Sequence, residues 1–183
     1  QPKDLMTNVG KIFRSFDNIL STIPSLTRIK VVGDIYFVVA GLFNPELMPS
    51  SHATDAINFA LKALDSLEEL NIQMNSSLQI RVGAHTGGPL TAGIFNKNKQ
   101  IFDVIGFPIA VAKKLEKSCV PGTINVSNDT MSLLAPGRFR LEEHELIELD
   151  GIENQMSHTL YPGHLSASAT STSFYTPPSL LDL

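Results

Sequence analysis

The sequence predicts an α+β fold, a mixed and mostly antiparallel sheet with helices packed against it. Three observations carry the prediction. Apolar residues recur at helical spacing in three segments, near residues 3–23, 52–70 and 107–117. Short runs between them alternate with the period of a strand or carry hairpin turns. The composition is that of a chain with a core: of 183 residues, 43% are hydrophobic and 17% charged.

The first helix is expected from Lys3 to Ile23, with Leu5, Val9, Ile12, Phe13, Phe16, Ile19 and Leu20 on one stripe and Pro24 ending the run. Ile29 to Phe43 is β-rich, and Gly33-Asp34 at its middle is a hairpin signal for two antiparallel strands. Asn44 to Ser51 holds two prolines and reads as a loop. A second helix follows from His52 to Leu70, its stripe formed by Ala53, Ile57, Ala60, Leu61, Leu64 and Leu67. Leu78 to Ala84 alternates as a strand. Gly87-Gly88 turns the chain into another, Leu90 to Phe95. A polar turn at Asn96 to Lys99 leads to a strand at Ile101 to Ile105. Gly106 opens a third helix with Pro108 in its first turn, where proline is favoured, and with Ile109, Ala112 and Leu115 buried. Thr123 to Val126 is a strand, and Ser127 caps a short helix ending near Leu134. Arg138 to Leu149 and Ser157 to Tyr161 form a closing strand pair. From residue 163 to residue 183 the chain is rich in Ser, Thr, Ala and Pro, which predicts a disordered tail.

Several function classes are disfavoured. The net charge of −4 argues against a nucleic-acid partner, because phosphate backbones select basic surfaces. No apolar run reaches the ~20 residues needed to span a bilayer, and no signal peptide opens the chain. The single cysteine, Cys119, excludes an internal disulfide and fits a reducing compartment. The histidines and cysteine show no zinc spacing. Gly83, Gly87, Gly88 and Gly93 lack the pattern of a phosphate-cradling loop. The chain opens on Gln1 rather than Met, which reads as a piece of a longer protein.

Four blocks in order carry a resemblance. RIKVVGDIYFVVAGL (Arg28 to Leu42) resembles the strand pair of class III nucleotidyl cyclase catalytic domains that holds a metal-binding aspartate in its turn. LQIRVGAHTGGPLTAGIF (Leu78 to Phe95) is similar to the next family block. QIFDVIGFPIAVAKKLE (Gln100 to Glu116) is similar to the base-reading strand and catalytic helix, and PGTINVS (Pro121 to Ser127) to the strand after them. The similarity spans about Leu5 to Pro162, and the pattern is similar to that of the metal-donating first catalytic half of membrane adenylyl cyclases. It implies a ferredoxin-like, palm-type sheet without the family's first strand. Residues 1–162 then form an N-terminally incomplete cyclase domain.

The resemblance also implies chemistry. The family's reaction is attack of a ribose 3′-oxygen on the α-phosphorus with loss of pyrophosphate. Two Mg2+ or Mn2+ ions on two aspartates support it. One of those aspartates corresponds to Asp34; the other lies on the strand this chain lacks. Asp34 is either a metal ligand or an ordinary turn residue. Arg81 falls on the family's triphosphate arginine, a fork that matches phosphate oxygens, or is a solvent-facing arginine on an alternating strand. Lys30 and Asp103 fall on the pair that reads the adenine edge; the alternative is two unrelated surface charges. His85 is expected to be structural.

Three positions depart from the active pattern. Ala110 and Lys114 stand where the family has an asparagine and, four residues on, an arginine on one helix face. Asp150 stands where it has a phosphate lysine. Lys114 keeps a charge for phosphate but loses the planar fork, and no catalytic residue is assigned in this chain. Two functions of different class remain. One is half of an ATP-cyclising enzyme, a homodimer or a heterodimer with another cyclase domain. The other is a degenerate cyclase-like module that dimerises or senses nucleotide. A ferredoxin-like domain of unrelated role is the third and weakest. The expected location is the cytoplasm, as the cytosolic domain of a larger membrane protein or on its own, with membrane contact only through segments outside the chain.

Overall fold

Gly33 sets the first strand pair. In the computed structural model, which describes residues 2–95, 100–149 and 152–162, this glycine has φ 63° and Asp34 completes a two-residue turn. A glycine with positive φ at the first turn position lets the hairpin follow the natural strand twist. The flanking strands are β1 (Leu26–Val32) and β2 (Ile35–Ala40), antiparallel and closed by Val32 opposite Ile35. The ladder stops at Gly41, whose φ of 76° turns the chain beside the His52 ring.

The preceding helix, α1 (Pro2–Leu20), stops before the expected Ile23. The hydroxyls of Ser21 and Thr22 bond back to the carbonyls of Asn18 and Ile19, both at 2.7 Å, and end the helix ahead of Pro24. The next helix, α2 (Pro49–Met74), is longer than expected at both ends. Pro49 suits a first helical turn, and Asn75 closes the helix in the left-handed region at φ 48°.

Only β3 (Val82–Ala84) of the expected strand Leu78 to Ala84 is paired. The preceding residues bond elsewhere: Asn71 takes both the amide and the carbonyl of Leu78, and the Gly122 amide donates to the Ile80 carbonyl. β4 (Thr91–Phe95) and β5 (Ile101–Ile105) form a hairpin, and α3 (Phe107–Ser118) follows directly. β6 (Ile124–Ser127) leads into α4 (Asn128–Leu133), where the Ser127 hydroxyl accepts from the Thr130 amide. The closing strands are β7 (Leu141–Leu149) and β8 (Ile152–Leu160). β8 starts five residues earlier than the expected Ser157, because its outer half pairs with β7 beyond the end of β6.

Among the described residues the strands form three separate ladders: β1-β2, β3-β6-β8-β7 and β4-β5. All pairs are antiparallel except β3 with β6. One apolar cluster lies between α2 and β6, around Ile57, Leu64, Ile124 and Val126. A second joins α1 to α2 and β1 through Ile12, Phe16, Leu26 and Phe59. A smaller one seats α3 on the sheet through Val111, Leu115 and Ile147. β7 is an edge strand, its exposed positions taken by Glu142, Glu143, His144, Glu145, Leu146 and Glu148, with bulges interrupting its register. The tail after Pro162, the turn at Asn96 to Lys99 and Asp150 lie outside the described residues.

Candidate functional site

Two hairpins and one helix carry most of the residues singled out by sequence. The β1–β2 hairpin carries Lys30 and Asp34, β5 carries Asp103, and α3 carries Ala110 and Lys114. Lys30 and Asp103, 73 residues apart, meet: Lys30 Nζ donates to Asp103 Oδ2 at 2.5 Å. The other Asp103 oxygen accepts from the Val104 amide at 2.8 Å. The Lys30 hydrogen bond, then the Val104 amide, hold the Asp103 carboxyl below the usual carboxylate range. The pair stays accessible, with 41% of the Lys30 side chain and 24% of the Asp103 side chain exposed. A lysine ammonium has three donors, so donors remain for a ligand.

β1 and β5 share no ladder. The Lys30–Asp103 pair therefore ties two hairpins through side chains alone. A second tie lies beside it, the stacked rings of Phe43 and Phe102, 6.1 Å apart and 28° from parallel.

Asp34 is exposed at the hairpin tip, and its carboxylate has no partner among the described residues. No group of three His, Cys, Asp or Glu residues able to hold a metal occurs among them. A lone carboxylate does fit a hard ion held mainly by waters and substrate phosphates, the usual mode of Mg2+. It does not furnish the two-carboxylate site by itself.

Arg81 stands immediately before β3, and its guanidinium is engaged: Nη2 lies 2.8 Å from Glu116 Oε1 on α3. Sequence reading missed this partner, because nothing in the two segments marks a contact across 35 positions. Gly83 was the available signal, since a glycine inside a strand often marks a close backbone approach. A methyl group built on Gly83 overlaps the Ala112 carbonyl oxygen and the Glu116 amide nitrogen. Ala110 and Lys114 share an exposed face of α3 one turn apart, and Lys114 has no partner among the described residues. His85 bonds through Nδ1 to the Ser127 hydroxyl at 2.8 Å, and burial pushes its pKa down.

The strand–helix order, the hairpin aspartate and the β5–α3 junction together match a known pattern. The sequence model of the adenylate and guanylate cyclase catalytic domain covers residues 1–162. The chain belongs to this family. This cyclase domain is 32% identical over 133 residues to adenylyl cyclase X E of Drosophila melanogaster, covering 73% of this chain and 11% of that protein. It is 29% identical over 150 residues to an adenylate cyclase of Mycobacterium bovis, 82% of this chain and 32% of that one. The cyclase domain thus matches a minor part of these longer relatives. The guanylate cyclase domain of RhGC from Catenaria anguillulae, solved in complex with GTP, is 25% identical with a TM-score of 0.75, over 88% of this chain and 86% of that one. The adenylyl cyclase CyaB from P. aeruginosa, at 20% identity and a TM-score of 0.78 over 87% and 83% of the two chains, shares the fold. No helix among the described residues of the cyclase domain is long and apolar enough to cross a membrane.

Proposed function

We propose that this cyclase domain converts ATP to 3′,5′-cyclic AMP and pyrophosphate at a dimer interface, with a complementary partner half supplying groups it lacks. The Lys30–Asp103 pair carries the reading. A lysine held beside a carboxylate presents a donor to the acceptor edge of adenine. Asp103 fixes that lysine and, hydrogen-bonded on both oxygens, stays ionised. Asp34 is the residue that would hold a divalent ion, Mg2+ or Mn2+; such an ion neutralises phosphate charge when bound. Lys114, exposed and without a partner among the described residues, would meet the phosphates as a point charge. Apolar side chains exposed on the two hairpins, Val32 and Ile35 on one and Ile94, Ile101 and Ile105 on the other, support a partner surface.

Ala110 favours a second reading, a regulatory module without turnover, since it offers no hydrogen bond to the reacting groups. Each missing transition-state donor costs ~10²-fold or more in rate. With Ala110, Lys114 and Asp150 all altered, a deficit of ~10⁴-fold is expected for a homodimer, which repeats the defect in both sites. The test compares the chain alone, the chain with a cyclase domain dead at its metal site but otherwise intact, and the triple variant Ala110→Asn, Lys114→Arg, Asp150→Lys. Cyclic AMP from the last two only supports the half-enzyme. Strong activity of the chain alone overturns it, and silence in all three favours the regulatory module.

A further inference from the structure

We propose that Lys113 supplies the donor that Ala110 lacks: its ammonium reaches over Ala110 and meets the α-phosphate of the bound nucleotide. The proposal rests on the nucleotide reading above, whereas the placement of the lysine stands on this structure alone.

Ala110, Lys113, Lys114 and Lys117 follow the spacing i, i+3, i+4 and i+7 and are all exposed, so they share one face of α3. The opposite face is seated on the sheet by Val111 and Leu115. None of the three lysines has a partner among the described residues. In a chain of net charge −4, three free ammonium groups on one helix face reverse the sign locally and favour an anion there.

Side-chain direction singles out Lys113. A long helical side chain leans toward the N-terminus and lies over the preceding turn. For Lys113 that turn contains Ala110, whose methyl group leaves the surface open. A lysine's four-carbon stem crosses the about 5–6 Å between helix neighbours three positions apart. The same lean carries the ammonium toward the end of β5. Asp103 registers it there: the Lys30 hydrogen bond and the Val104 amide do most to hold that carboxyl down, and the charge of Lys113 adds to them. The junction between β5 and α3 is closed, since an added Cβ at Gly106 would lie 2.6 Å from the Pro89 carbonyl oxygen. Lys113 therefore stands between the base-reading pair and Lys114. Its ammonium is a point charge with three donors, better suited to a phosphate oxygen than to a ribose hydroxyl. Lys117 lies in the last turn, where a cation complements the helix dipole.

The experiment measures Mn-ATP binding by the full chain as Lys113→Ala, Lys113→Arg and Lys117→Ala, and as Ala110→Asn with and without Lys113→Ala. Lys113→Ala should bind about tenfold more weakly, the size of one lost charge-assisted bond. Lys113→Arg keeps the charge and should stay within about threefold, and Lys117→Ala within about twofold. In the Ala110→Asn background, removing Lys113 should cost about threefold or less, because both groups fill one spot. Equal losses in the two backgrounds would show that the positions act independently and overturn the substitution. Unchanged binding in Lys113→Ala, from a parent that binds, would overturn it outright. Carbon NMR of Asp103 without nucleotide checks the placement: the midpoint should rise in Lys113→Ala and hold in Lys117→Ala, and an unmoved midpoint in Lys113→Ala refutes it. If the unmodified chain binds no Mn-ATP, the nucleotide reading fails and takes the proposal with it, a result distinct from loss of the Lys113 role alone.

Discussion

Replacing Gly83 with alanine tests the seat of α3 most directly. The backbone at Gly83 is not in the left-handed region, so alanine brings no conformational penalty and the effect is steric. The new Cβ would lie 2.9 Å from Glu116 Cα and would overlap the neighbouring carbonyl and amide of the helix. These are backbone atoms, which cannot rotate away. To regain ordinary carbon contacts, α3 must back off by about 1 Å. Overpacking of this kind costs about 1–3 kcal/mol, or about 3–10 °C in Tm for a domain of this size. A displacement of ~1 Å in a helix that aligns reacting groups costs up to ~10²-fold in rate. Calorimetry gives the first quantity. Cyclic AMP formation with a complementary partner domain, or Mn-ATP binding, gives the second. Gly10→Ala is the control, since its added methyl meets nothing within 4 Å and alanine favours the α1 helix; it should raise Tm slightly. A Gly83→Ala protein with unchanged Tm and unchanged α3 amide hydrogen exchange would show that the helix has room on β3 and refute the steric argument.

Four further outcomes are expected. Asp34→Ala should leave Tm within ~1 °C, since an exposed turn residue carries little packing, while weakening Mn2+-dependent ATP binding; equal binding in mutant and parent removes the metal role. Carbon NMR should give Asp103 a titration midpoint below that of an ordinary aspartate, rising when Lys30 is changed to alanine. Because the folded-state value is the lower one, the stability from this link is present at neutral pH and is lost as pH falls through it. For His85, whose pKa burial lowers from 6.5, the unfolded chain takes up a proton that the folded state refuses. Stability should therefore decline as pH drops below about 6.5 and level off below the folded value, and His85→Gln should flatten that part of the profile. Ile57→Ala, at a fully buried core position, should cost about 2–5 kcal/mol by urea denaturation without changing Mn-ATP affinity in the fraction that remains folded.

The parts of the fold governed by local chemistry were legible in the sequence. The Gly33-Asp34 turn lies where a hairpin signal puts it, and the bounds of α2 and α3 fall within about a turn of those expected; α2 buries most of its expected stripe, whereas α3 buries Pro108, Val111 and Leu115 in place of Ile109, Ala112 and Leu115. Less legible were features set by distant partners. Leu78 to Arg81 alternate like a strand, yet the Asn71 side chain and Gly122 take their backbone bonds, and no local rule anticipates that. β8 gains its first residues from β7, a pairing that periodicity does not locate. At the site, the resemblance implied that Lys30 and Asp103 lie side by side, and they do. For Arg81, the motif position specifies a residue type but not the acid, Glu116, that the side chain meets.

The charged outer strand has a consequence for how the domain behaves at high concentration. A sheet that ends in an unpaired strand invites another molecule to add its own strand there. On β7 such an addition would bring a row of glutamates against a second copy, in a ladder already broken by two register shifts. Like charges directly opposite one another on paired strands are destabilising. Strand addition at this edge is thus disfavoured without the edge being covered, which fits the proposal that a partner domain docks on the apolar side chains of the two hairpins instead.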